Sequence, residues 1–275
     1  MRVVKLAAED DFDGWRAAAR ALLAGDVPAD QIIWQVGDQA TDLFAGAMVQ
    51  PSATAALKVH KEFVQLANRV ILHRDPERFS LLYGLLRRVI HHPHVLFDKL
   101  DPRRRRIEAL SDTIRRDMHK MRAFLRFREV QSQGRSHYVA WFEPEHHIVR
   151  ANASFFVDRF TSMDWSILSP EISIHWDGHK LRQGPGATLD QAASGDPVEE
   201  IWKSYFSAIF NPTRLNPRAM MREMPKKYWK NMPEAALVPD LISNARAREI
   251  EMIERSKAKN GRVAKPSKHS SPEHG

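Results

Sequence analysis

The chain has 275 residues, 43% of them hydrophobic, and carries a formal net charge of +8. This length and apolar content are enough for one large domain with a well-formed core. The absence of cysteine excludes disulfides, iron–sulfur clusters, thiolate zinc sites and a cysteine nucleophile.

The first part of the chain, residues 1–122, is predicted to combine short strands with helices. Apolar runs at 2–6 and 31–36 indicate strands, and the segment between them indicates a helix that ends at Gly25. Asp-Pro pairs begin the predicted helices at residues 75, 101 and 196, because aspartate caps free amides and proline suits the first turn. The helix from 102 to about 120 has one apolar stripe, and Asp112 and Arg116 lie on its solvent side.

In residues 123–182, several segments alternate apolar and polar residues with a period of two, which indicates β-structure. Strands are predicted at 123–130, 137–142, 164–169 and 171–176, with a helix near 150–160 after the second strand. This β-β-α-β-β unit should form a four-stranded, mainly antiparallel sheet with one covered and one partly open face. The segment 177–195 is expected to be a loop.

The fold class is therefore predicted to be α+β, with the β-β-α-β-β unit between N-terminal and C-terminal helices. Residues 1–254 are expected to form a single domain, with the C-terminal helices at 196–254. Residues 255–275 contain no aromatic side chain and many Lys, Ser and Pro residues, so a disordered basic tail is expected. No apolar run is long enough for a membrane helix, and the acidic N-terminus lacks a signal core, so a cytoplasmic protein is expected.

The positive charge is concentrated in two places. Residues 101–128 carry +6 and residues 255–275 carry +5, so the remaining residues sum to −3. Local basicity of this kind favours a polyanionic partner such as DNA. A solvated helix face followed by a soluble tail explains the same pattern equally well.

Arg126 and Arg128 are the first candidates for nucleic-acid contact. If residues 123–130 form a strand, both arginines lie on one face, about 7 Å apart. Two guanidinium groups at this spacing can bind neighbouring phosphates of a single strand. The alternative is an ion pair across the sheet, for example with Glu143.

His119, His146 and His175 are weak candidates for proton transfer. His146 follows two glutamates, and His175 lies on the polar face of the last predicted strand. A structural role is the alternative for each of them. The chain has no metal-binding spacing of histidines and carboxylates, and neither a metal nor another cofactor is predicted.

The segment MPKKYWKNMPE at 224–234 combines lysines with two aromatic residues. This composition is typical of a surface on which single-stranded bases stack, and also of a helix corner with exposed lysines. Packing is expected to bury Trp229. Lys226, Lys227, Tyr228 and Arg214 are the remaining nucleic-acid candidates.

Several stretches resemble an uncharacterised bacterial family of probable DNA metabolism proteins, which contains the domain of unknown function 4130. The matching stretches are FDGWRAAARALL (12–23), RDPERFSLLYGLLRRV (74–89), RRDMHKMRAFLRFREV (115–130), the segment 138–168 and the segment 201–234. The resemblance implies association with a radical-SAM protein of suspected DNA-repair role. It also implies a relationship to domains fused ahead of uracil-DNA glycosylase-like domains of the UdgX type.

The sequence leads to three hypotheses about function. The first is a DNA-associated accessory protein of a repair or modification system that binds the nucleic-acid backbone. The second is a DNA-acting enzyme that uses histidine as general acid and base. The third is a scaffold for a radical-SAM partner that does not touch DNA, and the sequence leaves open whether the protein is an enzyme.

Overall fold

The computed structural model describes residues 1–37, 58–132, 135–189 and 224–232, together with 235, 237, 239 and 240. The fold is α+β, as the sequence predicted. The helices are α1 (Phe12–Ala24), α2 (Lys61–Val70), α3 (Arg78–His91), α4 (Pro102–Phe124) and α5 (Val149–Arg159). The strands are β1 (Arg2–Leu6), β2 (Ile32–Val36), β3 (Arg128–Ser132), β4 (Arg135–Trp141), β5 (Trp165–Leu168), β6 (Ile172–Trp176) and β7 (Leu181–Pro185). Short 3-10 turns span Ala29–Gln31, Pro93–Leu96 and Lys226–Asn231.

Strands β1 and β2 form a small parallel sheet, and α1 connects them. Asp11 caps the N-terminus of α1, where its side chain accepts a hydrogen bond from the Gly14 N–H at 2.8 Å. Trp15 and Leu22 of this helix are buried in a core that also contains residues of α2 and α3. The two predicted strands and the helix between them are therefore confirmed.

The second sheet has five strands in the order β3-β4-β5-β6-β7. Strands β4 and β5 are parallel because α5 carries the chain back across the sheet, and the other neighbours are antiparallel. The prediction of a mainly antiparallel β-β-α-β-β unit is correct but incomplete. Strand β7 lies in the segment 177–195, which was predicted to be a loop. Within the described ranges β7 pairs with β6 alone, and Gly184 and Pro185 are residues typical of an edge strand rather than a central one.

The prediction of a strand at 123–130 is wrong in its boundaries. Helix α4 continues to Phe124, and β3 begins at Arg128. The helical stripe continues because Met121 and Leu125 share a core with Ile114. The last turn is also tied to α5, where Arg122 Nε donates to Asn152 Oδ1 at 2.8 Å.

Helix α4 joins two hydrophobic cores. Ile107 packs in the core shared with α1, α2 and α3, whereas Ile114 and Met121 pack under the five-stranded sheet with α5. Its start is fixed by Asp101, whose carboxylate accepts a hydrogen bond from the Arg104 N–H at 2.9 Å. The predicted Asp-Pro start of α4 is confirmed, and α3 begins two residues after Pro76.

The predicted helices between 196 and 223, most of the segment 236–254 and the basic tail 255–275 lie outside the described residues, as does Arg214. None of the helices in the described ranges is both long and apolar enough to cross a membrane.

Candidate nucleic-acid interface

A basic cleft of about 380 Å³ lies where the end of α3 meets the beginning of α4. Among the described residues, every ionisable side chain that lines it is basic: Arg87, Arg88, His91, His92 and Arg103. The described lining also contains Ala29 and Gly84. Three arginines with no carboxylate among these lining residues suit an anionic ligand.

Gly84 determines where the Arg103 guanidinium lies. A Cβ atom built on Gly84 would be 1.8 Å from Nη1 of Arg103, so a side chain there would displace the guanidinium. Because α3 has no side chain at this position, the guanidinium of Arg103 occupies the space that one would fill. Arg103, which belongs to α4, therefore reaches the cleft by packing against α3.

Arg88 has a structural role in the cleft. Its Nη2 lies 2.6 Å from Oδ2 of Asp101, the capping residue of α4. The hydrogen bond from Arg88 lowers the pKa of the Asp101 carboxyl, and burial partly opposes this shift. Arg88 thus holds the two helices together, and its loss would leave a buried carboxylate without its cation.

Four consecutive arginines begin α4, and they divide into two pairs. Arg104 donates to the Leu96 carbonyl at 2.9 Å and pairs with Glu108, while Arg106 pairs with Asp75 and Glu77. Arg103 and Arg105 are exposed and have no carboxylate partner within the described parts of the chain. These two arginines are therefore available to a ligand.

Arg126 and Arg128 do not form the pair that strand alternation predicted. Arg126 precedes β3, and its guanidinium donates to the carbonyls of Ala123 and Leu125 at 2.8 and 3.2 Å. It therefore caps the C-terminal end of α4. Arg128 is the first residue of β3 and lies opposite Val139. A contact between either arginine and nucleic acid stays a prediction.

Tyr228 is buried, contrary to the surface role predicted for it. Its ring is 2% exposed and stacks between Phe124 and Phe142 at centroid distances of 5.6 and 5.2 Å. Burial and the nearby Asp117 carboxylate raise its pKa. Trp229 is only partly buried, so packing selects the other member of the aromatic pair. Lys226 remains exposed, while Lys227 pairs with Glu145.

The three predicted histidines lie in different parts of the molecule. His119 is exposed on α4, whereas His146 is 9% exposed and stacks on His73 at a centroid distance of 4.1 Å. Burial, with His73 as the next cause, lowers the pKa of His146 to about 4. His146 is therefore neutral at pH 7, and its Nδ1 accepts the Arg74 N–H at 3.3 Å.

His175 belongs to a hydrogen-bonded chain across three strands that the sequence did not reveal. Its Nδ1 lies 2.7 Å from Ser166 Oγ, which lies 2.8 Å from His137 Nε2. His137 Nδ1 in turn lies 2.9 Å from Asp164 Oδ1. The order Asp–His–Ser matches a hydrolase triad, but Ser166 lies within β5, which pairs with strands on both sides. Backbone amides that pair with neighbouring strands do not provide an oxyanion hole. This series of hydrogen-bonded side chains therefore links the strands rather than activating a nucleophile.

No group of three histidine or acidic side chains within the described ranges has the geometry to hold a metal ion. In the comparison with protein families, the model of a domain of unknown function, DUF4130, matches residues 76–234, which is more than half of the chain. No curated protein and no solved structure matches the sequence significantly.

Proposed function

The chain belongs to the DUF4130 family, and we propose that it is a DNA-associated accessory protein of a repair or modification system. It acts in the cytoplasm and binds the nucleic-acid backbone at the basic cleft. The observation that carries this proposal is the lining of that cleft, in which every ionisable side chain among the described residues is basic. The resemblance to probable DNA metabolism proteins supports a radical-SAM or glycosylase-type repair protein as its partner.

Phosphate is the ligand group that best matches the cleft. Guanidinium groups form short, charge-assisted hydrogen bonds to phosphate oxygens, often two at a time. Arg103 has no carboxylate partner among the described residues, and Arg87 pairs with Asp26, an exposed residue whose Oδ1 lies 2.7 Å from Nη2 of Arg87. Exposed ion pairs contribute only about 0–1 kcal/mol to stability, so a phosphate of the nucleic-acid backbone can replace Asp26 as the partner of Arg87 at little cost. Because contacts to phosphate carry no sequence information, we expect binding without sequence preference.

The first prediction tests Arg87 and Arg103 together. The double variant Arg87→Ala, Arg103→Ala should bind a labelled oligonucleotide more weakly, across sequences alike. The slope of log affinity against log salt concentration should fall by about two, one for each lost phosphate contact. Fluorescence anisotropy over a potassium chloride series measures both quantities. Arg88 is left intact because it holds Asp101.

The matched control is Arg115→Ala, Arg116→Ala on the same helix. It removes the same charge from two exposed arginines remote from the cleft. The proposal requires this control to retain most of the affinity and salt slope. Equal losses in both double variants would indicate a diffuse effect of net charge, and unchanged binding in both would contradict backbone binding at the cleft.

A further inference from the structure

A second cleft of about 460 Å³ lies near the beginning of α3, away from the basic cleft at its end. Its charged lining consists of Glu9, Asp10, Arg74, His147, Arg150 and Glu171. We call it the charged cleft. These side chains come from the loop after β1, the loop before α3, the beginning of α5 and the turn between β5 and β6. Four separate segments thus bring acidic, basic and imidazole groups to one place.

His147 is the central side chain of the charged cleft. Its Nδ1 lies 2.8 Å from Oε2 of Glu171, so the carboxylate favours the tautomer with the proton on Nδ1. The other ring nitrogen, Nε2, lies 3.9 Å from Oε2 of Glu9, too far for a hydrogen bond. A carboxylate therefore orients the imidazole and leaves its basic nitrogen free for a ligand.

The backbone around His147 is fixed by buried hydrogen bonds. The N–H groups of Glu145 and His146 both donate to Asp117 Oδ2 at 2.9 Å, and the His147 N–H donates to the Leu72 carbonyl at 2.9 Å. Asp117 is itself buried on α4. The position of the imidazole is therefore set before any ligand enters.

Two arginines lie on either side of this histidine. Arg74 pairs with Glu171, and Arg150 pairs with Asp10 and donates from Nε to Gln183 at 2.9 Å. The Arg74 and Glu171 side chains are 48% and 38% exposed, so water screens their attraction. A phosphate oxygen can therefore replace Oε1 of Glu171 as the partner of Arg74, while Oε2 keeps its contact with His147. The phosphate can also accept N–H groups of Arg150 that Asp10 and Gln183 do not use.

We propose that the charged cleft is a catalytic site for hydrolysis of phosphate diesters, with His147 as general base. Nε2 takes a proton from water as the water oxygen forms a bond to phosphorus. The bond from phosphorus to the leaving oxygen breaks, that oxygen takes a proton from solvent, and the imidazolium returns its proton to solvent. Arg74 and Arg150 bind the phosphate oxygens, and Glu171 is a positioning residue for His147.

The composition of the lining selects both the nucleophile and the kind of substrate. None of the described residues that line the cleft is serine, threonine, tyrosine or cysteine, so water supplies the attacking oxygen in this proposal. Its volume is that of a site for a small molecule rather than a groove for a duplex. Glu9 and Asp10 repel a second phosphate placed near them, which favours a small diester or the end of a strand.

The second prediction uses the chromogenic diester bis(p-nitrophenyl) phosphate. The wild-type protein should release p-nitrophenol, and His147→Gln should lower kcat by about 10²–10⁴-fold with little change in KM. His119→Gln is the matched control, since it changes an exposed histidine outside the cleft. No release by the wild-type protein, or equal release by His147→Gln, would overturn the proposal.

Two further variants separate binding from positioning. Arg74→Ala should raise KM about ten- to a hundredfold, because it removes a charged hydrogen-bond donor to the phosphate. Glu171→Gln should lower kcat about tenfold or more without raising KM, whereas Glu108→Gln, which breaks the similar pair with Arg104, should change neither. If Glu108→Gln lowers kcat as much, Glu171 does not position the base. The double variant Arg87→Ala, Arg103→Ala should retain turnover of the diester. The proposal for the charged cleft can therefore fail independently of the proposal for the basic cleft.

Discussion

His146 and His147 are adjacent in the chain but have opposite environments. The side chain of His146 packs inward against His73, whereas that of His147 faces the charged cleft. The two side chains therefore have separate roles. His146 is a buried acceptor that holds the backbone of Arg74, and His147 is the residue open to a ligand.

The third prediction concerns the protonation of His146. Its folded pKa of about 4 lies below the ordinary value of 6.5, so the unfolded chain takes up the proton first as pH falls. The stability that neutral His146 contributes is complete above pH 6.5 and is lost progressively towards pH 4. Relative to His146→Asn, wild-type protein should lose about 2 kcal/mol of unfolding free energy between pH 7.5 and 5.

Urea unfolding of both proteins at the two pH values measures this difference. The asparagine side chain retains an acceptor for the Arg74 N–H, so the comparison isolates the titration. The groups that face His146 are His73, Glu145, Arg74 and His147. A stability difference between the two proteins that is independent of pH would show that His146 titrates alike in both states.

Among the elements, the 3-10 turn at Lys226–Asn231 shows how packing decides between two equivalent side chains. The sequence predicts burial of Trp229 rather than of Tyr228, and the structure shows the reverse, because local spacing does not determine which ring packs inward. The choice depends on Phe124 and Phe142, which lie about a hundred residues earlier and form a slot for a flat ring. Information of this kind is absent from the segment itself.

The fourth prediction follows from the position of Tyr228. Tyr228→Ala should lower the free energy of unfolding by about 3–5 kcal/mol, because it removes a buried aromatic ring. Lys226→Ala, two residues earlier and exposed, should change it by less than about 0.5 kcal/mol. Denaturant unfolding measures both, and oligonucleotide affinity should be unchanged in folded Tyr228→Ala. Normal stability with weakened binding would restore the stacking role predicted from the sequence.

Elements with a strong periodic pattern were predicted well, and those with mixed signals were not. The apolar stripes of α1 and α4 and the alternation of β6 identify these elements directly. Residues 123–127 fit both the alternation of a strand and the apolar stripe of α4. Contacts with α5 stabilise the helical conformation as far as Phe124. The charged cleft could not be predicted from the sequence for another reason. Its lining residues are distant in the chain and form no common motif: Glu9, Arg74, His147 and Glu171.

In the whole molecule, α4 connects the two cores along its 23 residues, which span about 35 Å. The family match begins at Pro76, so Glu9, Asp10 and Arg74 of the charged cleft precede the matched range. Buried Arg78 links the two parts, since its guanidinium donates to the Glu9 backbone carbonyl at 2.8 Å and to the Glu9 carboxylate. The segment before the matched range therefore contributes to both the core and the cleft.

The parallel pairing of β4 and β5 also has a consequence for the order of folding. Residues 142–164, including α5, separate these strands, whereas short turns separate β5, β6 and β7. Closing the longer loop costs more chain entropy, so we expect the antiparallel parts to form first and to join along this parallel pair last. In pulse-labelled refolding, the amides of Tyr138 and Phe142, which bond to Asp164 and Leu168, should gain protection after those between β6 and β7. Earlier protection of Tyr138 and Phe142 would mean that the crossover nucleates the sheet.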